Sequence, residues 1–187
     1  MSITLEEYIE AGLQSRKSID TVMIREVSDL LLTRFRKGGK LITFGNGGSA
    51  VDAQHFVGEL DGHFTSERKA LPAIALSTNT SSITAIGNDY QYEDIFSRPV
   101  EALAGSMDVV VGISTSGNSR NVLKAIEAAR KKGAYTIGMT GSSGGKLASM
   151  VDVCLKAGSD FTPVIQETHI TMIHMICMEI DRLMEIK

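Results

Sequence analysis

Residues 44–60 read FGNGGSAVDAQHFVGEL, and this stretch decides the fold. The short apolar run KLITFG (40–45) leads into it. Gly45, Gly47 and Gly48 then indicate a turn, and apolar side chains recur at helical spacing after it. Glycine permits unusual backbone angles and lets backbone N–H groups approach a ligand closely. A strand that passes through such a turn into a helix is typical of parallel α/β sheets.

Four further apolar runs of strand length follow along the chain. They are LPAIALS (71–77), DVVVGIS (108–114), AYTIGMT (134–140) and VDVCLKA (151–157). Helical patterns lie between most of the runs (49–60, 83–86, 99–103, 121–132 and 145–149), and one more occupies 166–187. Since a parallel crossover needs a helix to return the chain, the pattern predicts an α/β fold with a five-stranded parallel sheet covered on both faces.

The first 37 residues differ from this alternation. Apolar residues recur at helical spacing from Leu5 to Phe35, including Leu5, Ile9 and Leu13, and predict two helices before any strand. A chain of 187 residues with 43% hydrophobic content can bury one core, and no repeat or linker marks a boundary. We therefore expect a single domain over 1–187, with an α/β sandwich at 38–187 and a helical segment at 1–37. Since the sheet does not need this segment to cover it, we expect its helices to be used in oligomerisation.

The charge and cysteine content restrict the partners and the compartment. A net charge of −3 gives no overall field that would attract nucleic acid or an anionic membrane, so a phosphate ligand would have to be held locally. Cys154 and Cys177 form no CxxC motif and no secretory leader is evident, so we expect reduced thiols and a cytoplasmic protein. No apolar run approaches the roughly 18 residues of a membrane span.

Two loops stand where a parallel sheet binds its ligands, beyond the carboxyl ends of the strands. They are GNGGS (45–49) and STSGNS (114–119), and the second offers four hydroxyls directly before a helix. Hydroxyls, free N–H groups and the positive end of a helix dipole form an anion site that needs no lysine. The alternative is a helix cap and turn. Neither loop matches a Walker A or GxGxxG motif, which disfavours a nucleotide ligand.

Two helices carry further candidate groups. His55 and Glu59 are four residues apart and project from one helical face, although such pairs are often simply solvated. The final helix carries Gln166 and His174, two turns apart. His174 lies in the apolar stretch MIHMIC, where a buried core histidine is the alternative.

Taken together and in order, these motifs resemble one known family. GNGGSAVDAQHFVGEL, AIGNDYQYEDIFSRPVEAL, GISTSGNSRNVLKAIEAARKKG, GMTGSSGGKLA and IQETHITMIHMIC are similar to the phosphoheptose isomerases of the sugar isomerase (SIS) fold. The resemblance implies a doubly wound α/β sandwich and a homotetramer with sites between protomers. It also implies conversion of sedoheptulose 7-phosphate to D-glycero-D-manno-heptose 7-phosphate, a precursor for lipopolysaccharide or capsule.

The resemblance also implies roles for individual residues. Zinc would be held by His55, Glu59, Gln166 and His174, a nitrogen and oxygen set that suits this metal. Glu59 would be the base that moves the carbon proton, His174 would carry the oxygen proton, and Glu59 and Gln166 would also contact substrate. The remaining substrate contacts would be Asn46, Gly47, Gly48, Asn88, Asp89, Ser114, Thr115, Ser116 and Ser119. Asn88 and Asp89 could equally form an ordinary turn.

Two positions depart from the family pattern, and other functions stay open. His63 and Val164 stand where many relatives carry arginine, the usual bidentate partner of carboxylate and phosphate. An isomerase of another sugar phosphate is one alternative. Another is a non-catalytic SIS module that senses a phosphosugar or binds a replication initiator, although His55, Glu59, Gln166 and His174 together favour an enzyme.

Overall fold

A central parallel sheet lies between two layers of helices in the computed structural model, which describes residues 3–185. The helices are α1 (Leu5–Lys17), α2 (Thr21–Arg36), α3 (Gly48–Asp61), α4 (Thr80–Asp89), α5 (Ser97–Leu103), α6 (Arg120–Lys131) and α7 (Thr162–Glu185). The strands are β1 (Leu41–Gly45), β2 (Ala73–Ala75), β3 (Val109–Ile113), β4 (Tyr135–Thr140) and β5 (Val153–Lys156). Short 3₁₀ helices occur at Leu76–Thr78, Tyr92–Asp94 and Leu147–Ser149.

The order of the strands places the two candidate loops side by side. The five strands are all parallel and lie in the order β2-β1-β3-β4-β5, with Leu41 of β1 beside Val109 of β3. After β1 the chain adds β2 on one side of β1 and then crosses to add β3 on the other side. The direction in which strands are added therefore reverses between β1 and β3. A ligand crevice forms outside the carboxyl ends of the strands at such a switch point. The loops after β1 and β3 are therefore neighbours across this crevice.

Each face of the sheet has its own hydrophobic core. One core packs α2, α3 and α7 against the sheet, and Phe56 of α3 lies in it with Ile173 of α7. The other packs α5 and α6 on the opposite face, where the Phe44 and Phe96 rings stack at 5.1 Å. β1 and β3 are buried along their whole length, as expected of strands covered on both faces. Rigid packing on both faces fixes the strand ends that carry the loops.

The predicted strands and most predicted helices are confirmed, and the differences have local causes. β2 is shorter than the run 71–77, because Pro72 has no N–H for a ladder and the chain turns into a 3₁₀ helix at Leu76. The pattern at 145–149 forms only a 3₁₀ helix. α7 begins at Thr162, ahead of the predicted Gln166, because Pro163 is tolerated in the first turn of a helix. The predicted end of this helix at residues 186–187 lies outside the described residues.

The two N-terminal helices are confirmed, but they pack differently. α2 contributes Val27 and Leu31 to the core beside α7. α1 contacts α7 through buried Gly12 and Ser15, while its apolar stripe of Leu5, Ile9 and Leu13 faces outward. Because α2 shares a core with the sheet, we keep the single-domain interpretation as a proposal. Within residues 3–185, none of the helices combines the length and apolar character that a membrane crossing requires.

Candidate functional site

A cleft of about 290 Å³ opens at the carboxyl ends of β1 and β3. It is lined by the two glycine- and serine-rich loops and by the first turns of α7. The lining residues are Asn46, Gly47, Gly48, Ser49, Ile113, Ser114, Thr115, Ser119, Thr162 and Gln166. Larger hollows exist elsewhere on the surface, but this one holds most of the substrate-binding residues that the sequence predicts. The two loops and Gln166 therefore lie side by side in the cleft without any contribution from a second chain.

The β1 loop brings backbone into the cleft. Gly47 has a positive φ of 55°, a conformation that favours glycine, and it precedes the first residue of α3. A Cβ on Gly48 would lie 2.4 Å from Nε2 of Gln166, so only glycine lets the amide of Gln166 pack against the loop. The unpaired N–H groups at the start of a helix attract anions, and the α3 N-terminus opens onto the cleft.

The β3 loop is held in one shape by its own hydrogen bonds. The hydroxyls of Ser114 and Ser119 bond to each other at 2.9 Å. Gly117 has a φ of 64°, and a Cβ there would lie 2.1 Å from the carbonyl oxygen of Gly144. The Asn118 side chain donates to the Ser116 carbonyl at 2.8 Å. This loop is therefore preorganised.

The hydroxyls of this loop do not all point the same way. Ser114, Thr115 and Ser119 line the cleft, whereas the Ser116 hydroxyl accepts the Asn118 N–H at 3.2 Å. Ser119 occupies the N-cap position of α6, but its side chain makes no capping bond. The hydroxyls of Ser114 and Ser119 are paired with each other instead, which disfavours the simple cap interpretation.

A second cluster lies on the same two helices, α3 and α7. Nε2 of His55 lies 2.8 Å from Oε1 of Glu59 and 3.3 Å from Nε2 of His174. One ligand atom from each of the three residues falls within 4.8 Å of the others. The ring of Phe64 stacks on His174 at 5.2 Å. His174 is thus a half-exposed member of a polar cluster and not a buried core histidine.

One distance in this cluster matches that expected around a tetrahedral metal. Two nitrogens bound to zinc at about 2.0–2.1 Å stand about 3.3 Å apart at the tetrahedral angle, as the Nε2 atoms of His55 and His174 do here. Glu59 supplies an oxygen at a similar distance from His55. The chain thus presents a His/Glu/His group that can hold a metal. The fourth predicted ligand, Gln166, lies against Gly48 in the cleft.

The distance between the two clusters follows from helix geometry. Ser49, in the cleft, is six positions before His55 on α3, a rise of roughly 9 Å. On α7, Gln166 is eight positions before His174, a rise of roughly 12 Å. The cleft and the His/Glu/His group are therefore carried by the same two helices, about two turns apart along each.

Asn88 and Asp89 are not placed at this cleft. They end α4, where the Asn88 amide donates to the Asp89 carboxylate at 2.9 Å on an exposed surface. Asp89 lines a different groove, next to Tyr90 and Arg98. The turn interpretation describes their local structure, and their predicted contact with substrate stays a prediction.

The structure adds residues that the sequence analysis missed. Tyr92 follows α4, and its hydroxyl donates to Oδ1 of Asn46 at 3.2 Å. Asn121, buried in the first turn of α6, also bonds Asn46. A single tyrosine and a single asparagine carry no pattern that marks them in the sequence.

Buried titratable groups surround the site. Burial raises the pKa of Asp52 to about 6, against the opposing influence of His55. Burial lowers the pKa of His169 to about 4, although its Nε2 donates to the Thr140 carbonyl at 3.0 Å. Burial beside Glu59 raises the pKa of Cys177 to about 12, so this free thiol stays protonated. Cys177 is a core residue, as its apolar surroundings in the sequence suggested.

Comparisons with known proteins point to one family. A family model described as "SIS domain" matches residues 7–141. A relative from Thermoplasma acidophilum named "Probable phosphoheptose isomerase" is 57% identical over 176 residues, which cover 94% of this chain and 97% of the relative. "Phosphoheptose isomerase" from Geobacter sp. is 51% identical over 183 residues, covering 94% and 95%. A solved phosphoheptose isomerase from Francisella tularensis superposes with a TM-score of 0.88 at 38% identity, covering 95% and 94%.

Proposed function

The chain belongs to the SIS-domain family and, within it, to the phosphoheptose isomerases, and from this membership and the geometry of the cleft we propose how it acts. It is an aldose–ketose isomerase. Its reaction converts sedoheptulose 7-phosphate to D-glycero-D-manno-heptose 7-phosphate for heptose synthesis. The roles of single residues, the metal and the assembly are proposals that go further.

The placement of the cleft and the His/Glu/His group supports this substrate. An extended seven-carbon sugar phosphate spans about eight bonds from C1 to phosphorus, which is roughly 10 Å at about 1.2 Å per bond. The helix rise from Ser49, in the cleft, to His55 is roughly 9 Å. We therefore propose that a phosphate bound at the cleft leaves C1 and C2 near the His/Glu/His group.

The phosphate end needs no lysine. The hydroxyls of Ser114, Thr115 and Ser119 and the N-terminus of α3 line the cleft. Hydroxyl donors and free helix N–H groups bind a phosphate dianion, and the positive end of the helix dipole adds to the attraction. These contacts are the same before and after proton transfer, so they serve to bind and orient the substrate.

The chemical end needs a base at carbon and a proton carrier at oxygen. Isomerisation removes a proton from one of the carbons C1 and C2, forms an enediol and returns a proton to the other carbon. We assign the carbon proton to the Glu59 carboxylate, which lies beside His55 at 2.8 Å. We assign the transfer between the two oxygens to the His174 imidazole, which the Phe64 ring holds in place. The cycle is neutral, since each proton removed is returned.

We propose zinc as the metal of the His/Glu/His group. The role of Gln166 as a fourth ligand stays a prediction, because its amide lies against Gly48 in the cleft. Bound by the His/Glu/His group, zinc would supply a Lewis acid that polarises the substrate carbonyl. Zinc added to chelated protein should raise the melting temperature through linkage, and His55→Ala should abolish this rise. His63→Ala, at a histidine outside the group, is the matched control. An equal rise in the His55→Ala protein would exclude this site.

The substrate is tested with a panel of ketose phosphates of five, six and seven carbons. Product formation is followed by NMR with the purified protein. We expect the seven-carbon substrate to have a kcat/KM at least about 10-fold above the shorter ones, because only it reaches both ends of the site. Faster turnover of a shorter ketose phosphate would reassign the substrate. No turnover of any of them would overturn the enzyme proposal.

We also propose a homotetramer as the assembly. Support comes from α1, where Leu5 and Ile9 are 79% and 63% exposed. An amphipathic helix whose apolar side faces water in one chain usually buries it against another copy. The His/Glu/His group is complete within one chain, so the assembly is not needed to bring these three residues together.

A further inference from the structure

Asn46, at the mouth of the cleft, is paired with a buried partner on the other side of the switch point. Its Nδ2 donates to Oδ1 of Asn121 at 2.9 Å, and Nδ2 of Asn121 donates back to Oδ1 of Asn46 at 2.8 Å. Asn121 is only 3% exposed and belongs to α6, whereas Asn46 belongs to the β1 loop. The pair therefore joins the two loops that line the cleft.

A hydrogen bond from the backbone determines the orientation of both side-chain amides in this pair. Oδ1 of Asn121 also accepts the N–H of Val122 at 3.0 Å, so this atom has to be the oxygen of the amide. Its Nδ2 then has to donate to Asn46, and the atom of Asn46 that receives this bond has to be its oxygen. The buried asparagine thus sets the orientation of the exposed one.

Tyr92 donates to the second lone pair of the Asn46 side-chain oxygen. Its hydroxyl donates to Oδ1 of Asn46 at 3.2 Å, so this oxygen receives two hydrogen bonds, one from Tyr92 and one from Asn121. An amide oxygen has two lone pairs and an amide nitrogen has two hydrogens. One hydrogen on Nδ2 of Asn46 goes to Asn121, and the second is left at the cleft that Asn46 lines.

We infer that Asn121 and Tyr92 are positioning residues that make Asn46 a pure hydrogen-bond donor to the substrate. The inference rests on the proposed isomerase function and deepens it, because it specifies what Asn46 recognises. A donor-only amide selects an acceptor oxygen of the sugar phosphate, supplied either by the phosphate or by a sugar hydroxyl. Without its two partners, the amide is free to turn and to present its oxygen instead.

Tyr92→Phe tests the inference with little risk to folding, since it removes one hydroxyl from a side chain that is 62% exposed. Tyr90→Phe is the matched control, because it removes a hydroxyl two residues away and keeps the ring that stacks under Arg98. We expect Tyr92→Phe to weaken binding of sedoheptulose 7-phosphate about 3- to 10-fold by calorimetry, with a matching rise in KM. Tyr90→Phe should change neither.

A double-mutant cycle separates positioning from a general structural effect. If Tyr92 acts through Asn46, then Tyr92→Phe should have no further effect on binding in an Asn46→Ala background. Asn121→Ser, which removes the amide donor to Asn46 and adds no charge beside the cleft, should weaken binding at least about 10-fold in the wild-type background. The Asn121 substitution should weaken substrate binding much less when Asn46 is replaced by alanine.

Inorganic phosphate as a second probe identifies the oxygen that Asn46 contacts. Weaker phosphate binding by Tyr92→Phe places Asn46 at the phosphate, and a loss confined to the sugar phosphate places it at a hydroxyl. The inference is overturned if wild type is active while Tyr92→Phe and Asn121→Ser bind within about twofold of it, or if their effects persist unchanged in Asn46→Ala. Wild type that neither binds nor converts a ketose phosphate overturns the isomerase proposal itself.

Discussion

His169 is a fully buried histidine of α7. Its Nε2 donates to the Thr140 carbonyl at the end of β4, and its Nδ1 has no partner among residues 3–185. The next residue, Gly141, donates its N–H to the Thr115 carbonyl in the β3 loop. Through Thr140 and Gly141, His169 ties α7 to the loop that we assign to the phosphate.

The depressed pKa of His169 predicts a loss of stability in acid. The folded pKa is about 4 and the ordinary value is 6.5, so between these values the unfolded chain binds the proton and the folded chain does not. Stability is complete above about pH 6.5 and falls by about 3 kcal/mol as the pH drops to 4. His169→Gln, which can still donate to Thr140, should remove this part of the pH dependence. Denaturant unfolding at fixed protein concentration measures it, and equal pH slopes in both proteins would refute it.

Single residues of the site could be predicted from sequence only where spacing reveals them. His55 and Glu59 stand four apart on a helix, and their proximity was expected. His174 was ambiguous, because its neighbours in the sequence are apolar and only the packing of α7 on α3 brings it to His55. Asn121 and Tyr92 act through long-range contacts that no local pattern shows.

At the scale of elements, the β3 loop should bind the substrate and the transition state equally well. Ser114→Ala and Ser119→Ala should each raise KM about 5- to 10-fold and leave kcat nearly unchanged, because the phosphate does not alter during proton transfer. Ser116→Ala should raise KM less, since its hydroxyl bonds a loop N–H. Steady-state kinetics of the three variants check this. A lost kcat at normal KM in Ser119→Ala would place that hydroxyl at the chemistry instead.

The elements themselves were largely predictable, and their ends were less so. Five apolar runs separated by helical patterns predicted the parallel sheet, and all five strands are present. The order β2-β1-β3-β4-β5 does not follow from any single run, although it is what brings the two loops together. A proline stands at each of the two boundaries that differ most from the prediction, the start of β2 and the start of α7. Pro72 shortens β2, and Pro163 is compatible with an earlier start of α7.

At the scale of the whole molecule, only Gly12 and Ser15 of α1 are buried. This helix contacts α7 through small residues and through the Tyr8 hydroxyl, which bonds Glu167. Its apolar stripe and a use of that stripe in oligomerisation were both predicted from sequence; the stripe is exposed, and its use in oligomerisation stays a prediction. The direction in which the stripe faces depends on Gly12 and Ser15, whose small size lets the other side of the helix approach α7.

The exposed stripe predicts that the assembly depends on α1. Ile9→Glu places a charge in the proposed interface and should shift the tetramer to smaller species, because burying an unpaired carboxylate is costly. Gln14→Glu adds the same charge to another exposed position of α1 and should leave the assembly intact. Native mass spectrometry reads out both variants. An unchanged mass for Ile9→Glu would place the interface elsewhere.

The most direct test of the central claim is solvent deuterium exchange by Glu59→Gln. The substitution keeps the shape of the side chain and removes the base that we assign to the carbon proton. In D₂O, wild type should build deuterium into the carbon that receives the proton, detected by NMR of the sugar phosphate. Glu59→Gln should exchange at least about 100-fold more slowly while it still binds sedoheptulose 7-phosphate. Exchange at a near-normal rate in Glu59→Gln would contradict the account, because another group would then move the proton.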